Sequence, residues 1–167
     1  MGWQDAASLR LQEDLQMRLL GAPQVILNGK PLTGVTSAKA HALLYFIAVT
    51  GRMHTRVKLA GLLWPDMDEP AARSNLRKAL QQLRAALGPY LSTDHDVVGL
   101  AEGASHWVDV LEVAGALTPG RLSVSIHDLE RAVQLYRGDF LQGFHIRGAP
   151  EYETWVLAEQ ERLRETA

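Results

Sequence analysis

PAARSNLRKALQQLRAALG, running from Pro70 to Gly88, reads as one helix with two opposed faces. Ala72, Leu76, Ala79, Leu80, Leu83 and Leu87 recur at three- and four-residue steps, which places them along one side of a 3.6-residue spiral. The remaining sides carry Arg73, Ser74, Asn75, Arg77, Lys78, Gln81, Gln82 and Arg84, with no carboxylate among them. Wet helix faces usually mix acids with bases, because opposite charges four residues apart help each other. Arg, Lys, Asn and Gln are the side chains that pair with phosphates and with purine edges in the major groove. The alternative is an ordinary solvated helix.

Working outward, charge is segregated along the chain. The formal net is −2. The segment Arg52 to Gly88 holds seven bases against Asp66, Asp68 and Glu69, whereas from Pro89 onward six Arg oppose thirteen acids. The middle segment suits anions, and the tail suits a different partner. With 47% apolar residues the chain can bury a core. It contains no cysteine, which removes disulfides, thiolate zinc sites and cysteine nucleophiles. No apolar run approaches the roughly 20 residues that cross a bilayer, and no secretory signal shows at the start; a cytoplasmic location and no membrane partner follow as expectations.

Local signals place the other elements. Leu9 to Gln16 is a polar lead-in without an assignment, and residues 1–16 are set apart on that ground. Met17 to Gly21 and Gln24 to Leu27 read as strands, with Asn28-Gly29 as a tight turn and Lys30 to Thr33 pairing back. Thr36 or Ser37 caps a helix through Val49 that Gly51 ends. Thr55 caps a second helix, Arg56 to Trp64, burying Val57, Leu59, Leu62 and Leu63; Pro65 stops it. Asp66, Asp68 and Glu69 precede the third helix, where its positive end favours them. Tyr90 to Thr93 and Val97 to Ala101 form a hairpin closed by Asp94-His95-Asp96. This order describes a winged helix-turn-helix with an N-terminal antiparallel sheet.

Three stretches carry a family resemblance: KAHALLYFIAVTGR (Lys39 to Arg52), LAGLLWPDMDEPAARSNLRKALQQLRAALG (Leu59 to Gly88) and WVDVLEV (Trp107 to Val113). They resemble the OmpR-type DNA-binding domain of the Streptomyces antibiotic regulatory proteins. LERAVQLYRGDFLQGF (Leu129 to Phe144) and EYETWVLAEQERL (Glu151 to Leu163) resemble the bacterial transcriptional activator domain that follows it there, a set of tetratricopeptide-like helices. The implied fold class is α+β, then all-α. The implied domains are a winged helix-turn-helix over 17–106 and a partial activator domain over 107–167.

The resemblance implies a DNA-binding transcriptional regulator, an activator, whose third helix enters the major groove of double-stranded DNA. Ser74, Arg77, Lys78 and Gln81 then stand most nearly opposite the core. Arg77 and Lys78 can reach guanine or phosphate, and Gln81 or Asn75 adenine. Arg73 and Arg84 hold phosphates or salt bridges. Thr55 and Arg56 can clamp a phosphate through a backbone N–H and a guanidinium, with a plain helix cap as the alternative; Lys39 is similar. The acidic turn Asp94-His95-Asp96 would repel DNA unless held away from it. The loop Trp64 to Pro70 can face RNA polymerase, with Trp64 as a core anchor and Asp66 and Asp68 exposed.

In the tail, the apolar residues are Val110, Leu111 and Val113, then Leu129, Val133 and Leu135 on Ile126 to Arg137, then Trp155, Leu157 and Leu163. Tetratricopeptide-like helices need stacked neighbours, so the tail reads as truncated or self-associating, with residual apolar surface near Trp155 and Phe144 favouring a dimer. Six scattered histidines, no glycine-rich phosphate loop and no nucleophile elbow argue against an enzyme, a metal site or a cofactor. The rival reading is a protein-interaction module whose winged helix has lost DNA binding.

Overall fold

The computed structural model describes residues 15–118 and 124–166. The fold is mixed α+β, with seven strands and six helices among the described residues. The strands are β1 (Leu15–Arg18), β2 (Gln24–Leu27), β3 (Lys30–Pro31), β4 (His54–Thr55), β5 (Leu91–Thr93), β6 (Val97–Leu100) and β7 (His106–Val108). The helices are α1 (Ala38–Thr50), α2 (Arg56–Leu63), α3 (Glu69–Leu87), α4 (Asp109–Ala116), α5 (Ile126–Leu135) and α6 (Pro150–Thr166).

One sheet runs β3-β2-β1-β7 and the other β4-β6-β5. Strand β1 pairs antiparallel with β2, Met17 opposite Val25, and parallel with β7, Met17 opposite Val108. It begins at Leu15 and stops at Arg18, so two residues of the expected lead-in belong to the sheet, while residues 1–14 lie outside the described set. Alternation explains that start: Leu15 and Met17 both point into the core, fully buried. Asn28 and Gly29 make the expected tight turn, both at positive φ (51° and 76°), the type I′ geometry that joins twisted strands. The returning strand β3 is shorter than expected, ending at Pro31, although Leu32 N still donates to Val25 O on β2 at 2.9 Å.

Caps set the helix limits. The Ser37 hydroxyl accepts from Ala40 N, and Gly51 closes α1 at φ 65°, where a side chain would be strained. Thr55 caps α2 and Asp68 caps α3. The start of α1 has a second acceptor: Gln82 Oε1 on α3 takes the N–H groups of Thr36 and Ser37 at 3.1 and 3.3 Å. In α3, Ala72, Leu76, Ala79, Leu80, Leu83 and Leu87 are all buried, as their spacing requires. Leu59, Leu62 and Leu63 of α2 are buried too, but Val57 is 65% exposed, contrary to expectation. It sits in the first turn of α2, lining clefts rather than core.

The segment after β7 shares this core. Asp109, buried at the start of α4, accepts from Leu19 N and Val110 N through Oδ1 (both 2.8 Å) and from Leu20 N through Oδ2 (3.0 Å). Burial pushes its carboxyl pKa up, and the three N–H groups pull it back down. The strap between α5 and α6 is pinned to the same place: Leu141 N donates to Leu19 O and Gly21 N to Asp139 O. Helix α4 packs on α5, whereas the rings of α6 reach α1. Trp155 meets Phe46 edge-on at 4.9 Å and Phe140 at 5.5 Å, and Phe144 meets Tyr45 at 5.1 Å. Trp155 and Phe144, where residual apolar surface was expected, are thus partly buried against the core. Exposed apolar side chains lie instead at Leu111, Ile126, Leu129, Val133 and Leu157. No helix of the described residues is long and apolar enough to cross a membrane.

Replacing Asp109 by Ala leaves the Leu19 and Leu20 N–H groups buried without an acceptor and lowers stability by about 2–4 kcal/mol. Asp109→Asn, which keeps one acceptor oxygen, loses less. Urea unfolding of the three proteins checks the order.

Candidate nucleic-acid interface

Helix α3 is held by its leucine seam against α1 and α2, so its orientation fixes which polar side chains reach water. Arg77, Lys78 and Gln81 stand exposed on the outer side, with no hydrogen-bond or ion-pair partner among the described residues. Ser74 is half-buried. Asn75 is half-buried as well, and its amide donates to Met67 Sδ at 2.8 Å, so it is engaged within the fold. Arg73 pairs with Glu69 at 2.6 Å, both side chains exposed. Since α3 begins one residue before Pro70, its wet side does carry a carboxylate, confined to the first turn. Arg84 donates to Thr93 Oγ1 on β5, tying α3 to the hairpin.

The hairpin β5–β6 packs beside the start of α2. Strand β4, which runs straight into α2, pairs with β6, His54 opposite Val98. Arg56 N donates to Asp96 O at 2.8 Å, and its guanidinium to Asp94 O at 3.2 Å. Thr55 Oγ1 accepts from Lys58 N as the helix cap. Of the backbone N–H groups at the start of α2, that of Arg56 is thus already spent on the hairpin turn. The guanidinium keeps further donors, and its Nε is enclosed without a partner.

Between these parts lies a cleft of about 710 Å³ lined by Thr55, Arg56, Val57, Arg73, Leu76, Arg77, His95 and Asp96. Four of the expected site residues, Thr55, Arg56, Arg73 and Arg77, come together here. Lys78 and Gln81 continue the exposed face along α3. Lys39 is engaged elsewhere: its ammonium lies 5.4 Å from the centroid of the Trp64 ring. Burial lowers its pKa, and Asp66 acts in the opposite direction. Trp64 is buried, 8% exposed, and Pro65 to Pro70 are exposed. His95 and Asp96, the acidic turn expected to repel DNA, line the cleft because β4 pairs with β6, a contact no local signal announces.

The fold resembles that of EmbR from Mycobacterium tuberculosis. The structure of EmbR in complex with a low-affinity phosphopeptide superposes over 93% of this chain with a TM-score of 0.65 at 21% identity. The chain spans 44% of that EmbR chain. At this identity the likeness is one of fold. No protein-family model and no curated protein sequence matches the chain. Among the described residues, no group of three or more His, Cys, Asp or Glu comes together to hold a metal ion.

Next to Thr55 in the chain, His54 is buried (3% exposed) and packs on Phe46 with ring centroids 4.7 Å apart and the planes tilted by 42°. Thr50 Oγ1 donates to Phe46 O at 2.7 Å, which uses its one proton, so the imidazole Nε2–H donates to Thr50 Oγ1, also at 2.7 Å. Burial, then Lys58 and Arg52, lower the His54 pKa. A lowered folded pKa means that the fold resists protonation. The His54 contribution is intact above the unfolded imidazole value, about pH 6.5, and is lost as the pH falls from there through the lower folded value. The melting temperature therefore drops on acidification from about pH 7.5 to about pH 5.5, and drops less in His54→Gln; thermal unfolding across that range checks it.

Proposed function

We propose that this chain is a sequence-specific DNA-binding regulator of transcription, an activator, that lays α3 in the major groove. On this reading α1–α3 and the β5–β6 hairpin form a winged helix-turn-helix: α2 and α3 are the paired helices and the hairpin is the wing. One observation carries it. Arg77, Lys78 and Gln81 are adjacent, exposed and unpartnered among the described residues, and they run into a cleft where Arg56 and Arg73 add two more guanidiniums. The fold shared with EmbR, together with the sequence resemblance to the antibiotic regulatory proteins, supports a role in transcription.

The side chains divide by reach. Arg77 and Lys78 donate to guanine O6 and N7 or to phosphate, and Gln81 pairs with adenine. Arg56, Arg73 and Thr55 face the phosphate backbone, which positions the protein without reading sequence. Arg84 braces the wing through Thr93. On this reading the exposed loop from Pro65 to Pro70, anchored by Trp64, meets RNA polymerase. The apolar residues Ile126, Leu129 and Val133 on α5 give the tail a surface for self-association. The acidic tail stays off the duplex, and the protein works in the cytoplasm.

Fluorescence anisotropy against random-sequence duplex DNA tests this through a salt series. Log affinity falls linearly with log salt, with a slope of roughly 0.9 per phosphate contacted. Replacing Arg77 and Lys78 by Ala weakens binding about tenfold and lowers that slope by about 1–2, with thermal unfolding unchanged. Unchanged affinity would favour the protein-interaction reading.

A further inference from the structure

We propose that His95 is a phosphate ligand whose hold on DNA depends on its own protonation, so that the wing strengthens binding as the pH falls. The inference rests on the DNA-binding reading above. The wing turn Asp94-His95-Asp96 is exposed at all three positions and carries two carboxylates and no permanent cation. Against a polyanion that is the wrong sign, and the structure does not hold the turn away. It is fixed at the rim of the cleft: both Asp94 O and Asp96 O accept from Arg56, and Asp94 N donates to Val97 O at 3.0 Å. Asp94 Oδ1 also accepts from His95 N at 2.7 Å, which shapes the turn. His95 therefore lines the same cleft as Arg56, Arg73 and Arg77. A phosphate drawn in by those three guanidiniums lies beside the imidazole.

The charged groups that share the cleft or the turn with that imidazole are Asp94 and Asp96 on its own turn, Arg56 on α2, and on α3 Arg77 and Arg73, the last paired with Glu69. A docked phosphate adds negative charge and strong acceptors, which shifts the balance toward the imidazolium with its two N–H donors. Linkage then requires the reciprocal effect: protonation tightens DNA binding by the factor with which DNA favours the proton. Imidazole is the side chain whose ordinary titration falls in the range of cellular pH, and His95 is the one histidine among the residues lining this cleft.

The test is equilibrium anisotropy with a random-sequence duplex at fixed ionic strength, at about pH 6 and about pH 8, for wild type, His95→Ala, His95→Lys and His54→Gln. Wild type is expected to bind about threefold or more tighter at the lower pH. His95→Ala should bind with little pH dependence, near the wild-type affinity of the higher pH. His95→Lys should bind tightly at both, and His54→Gln should keep the wild-type ratio, since the His54 ring is buried and does not line the cleft. The same pH ratio in wild type and His95→Ala would overturn the inference and leave the DNA reading standing. Absence of DNA binding by wild type at low salt and the lower pH would overturn the DNA reading itself.

Discussion

The leucine seam of α3 is the constraint on which everything else depends. Leu76, Leu80, Leu83 and Leu87 are each at most 2% exposed, and burying such a side chain is worth about 1.5–3 kcal/mol. Rotating α3 by even a quarter turn would bring these leucines into water and drive Arg77 or Lys78 toward the core. The cationic side is thus held outward by the hydrophobic energy of the opposite side. Gln82 locks the register from the flank, since its amide oxygen receives the two N–H groups at the start of α1. Packing and site are two consequences of one helical period.

The tail continues that logic rather than interrupting it. Asp109 grips the chain just after β1, β7 extends the first sheet, and the rings of Tyr152 and Trp155 reach across Phe140 to Phe46 on α1. The same Phe46 packs on His54, which leads directly into Thr55 and the start of α2. A continuous set of packed rings therefore runs from α6 to His54, the residue before the cap of α2. A partner that displaced α6 would remove an aromatic support from the helix on which the first turn of α2 rests.

What the sequence made legible was local. Ser37, Gly51, Thr55 and Asn28-Gly29 act within a few residues of themselves, so caps and turns could be read from residue type alone. The α3 stripe was legible because its period repeats through five turns. Three things were not. The parallel β1–β7 pairing joins residues about 90 positions apart, which no periodicity encodes. Asp109 looks like any solvated carboxylate until the N–H groups of Leu19 and Leu20 are seen to need an acceptor. Val57 looked apolar and therefore buried, but it lies in the first turn of α2, on the side that lines the clefts. Of the expected site residues, Arg56, Arg73 and Arg77 converge, whereas Asn75 and Lys39 are drawn into contacts with Met67 and Trp64. Side-chain type suggested a chemistry; only the fold could assign the partner.

The most direct measurement is an amide-resolved NMR titration of the protein with duplex DNA at low salt. The account predicts shifts concentrated on the outer side of α3 at Arg77, Lys78 and Gln81, on the first turn of α2 and on the hairpin turn, with α4 and α5 silent. Shifts confined to α4 and α5, or none at all with the fold intact, would contradict it.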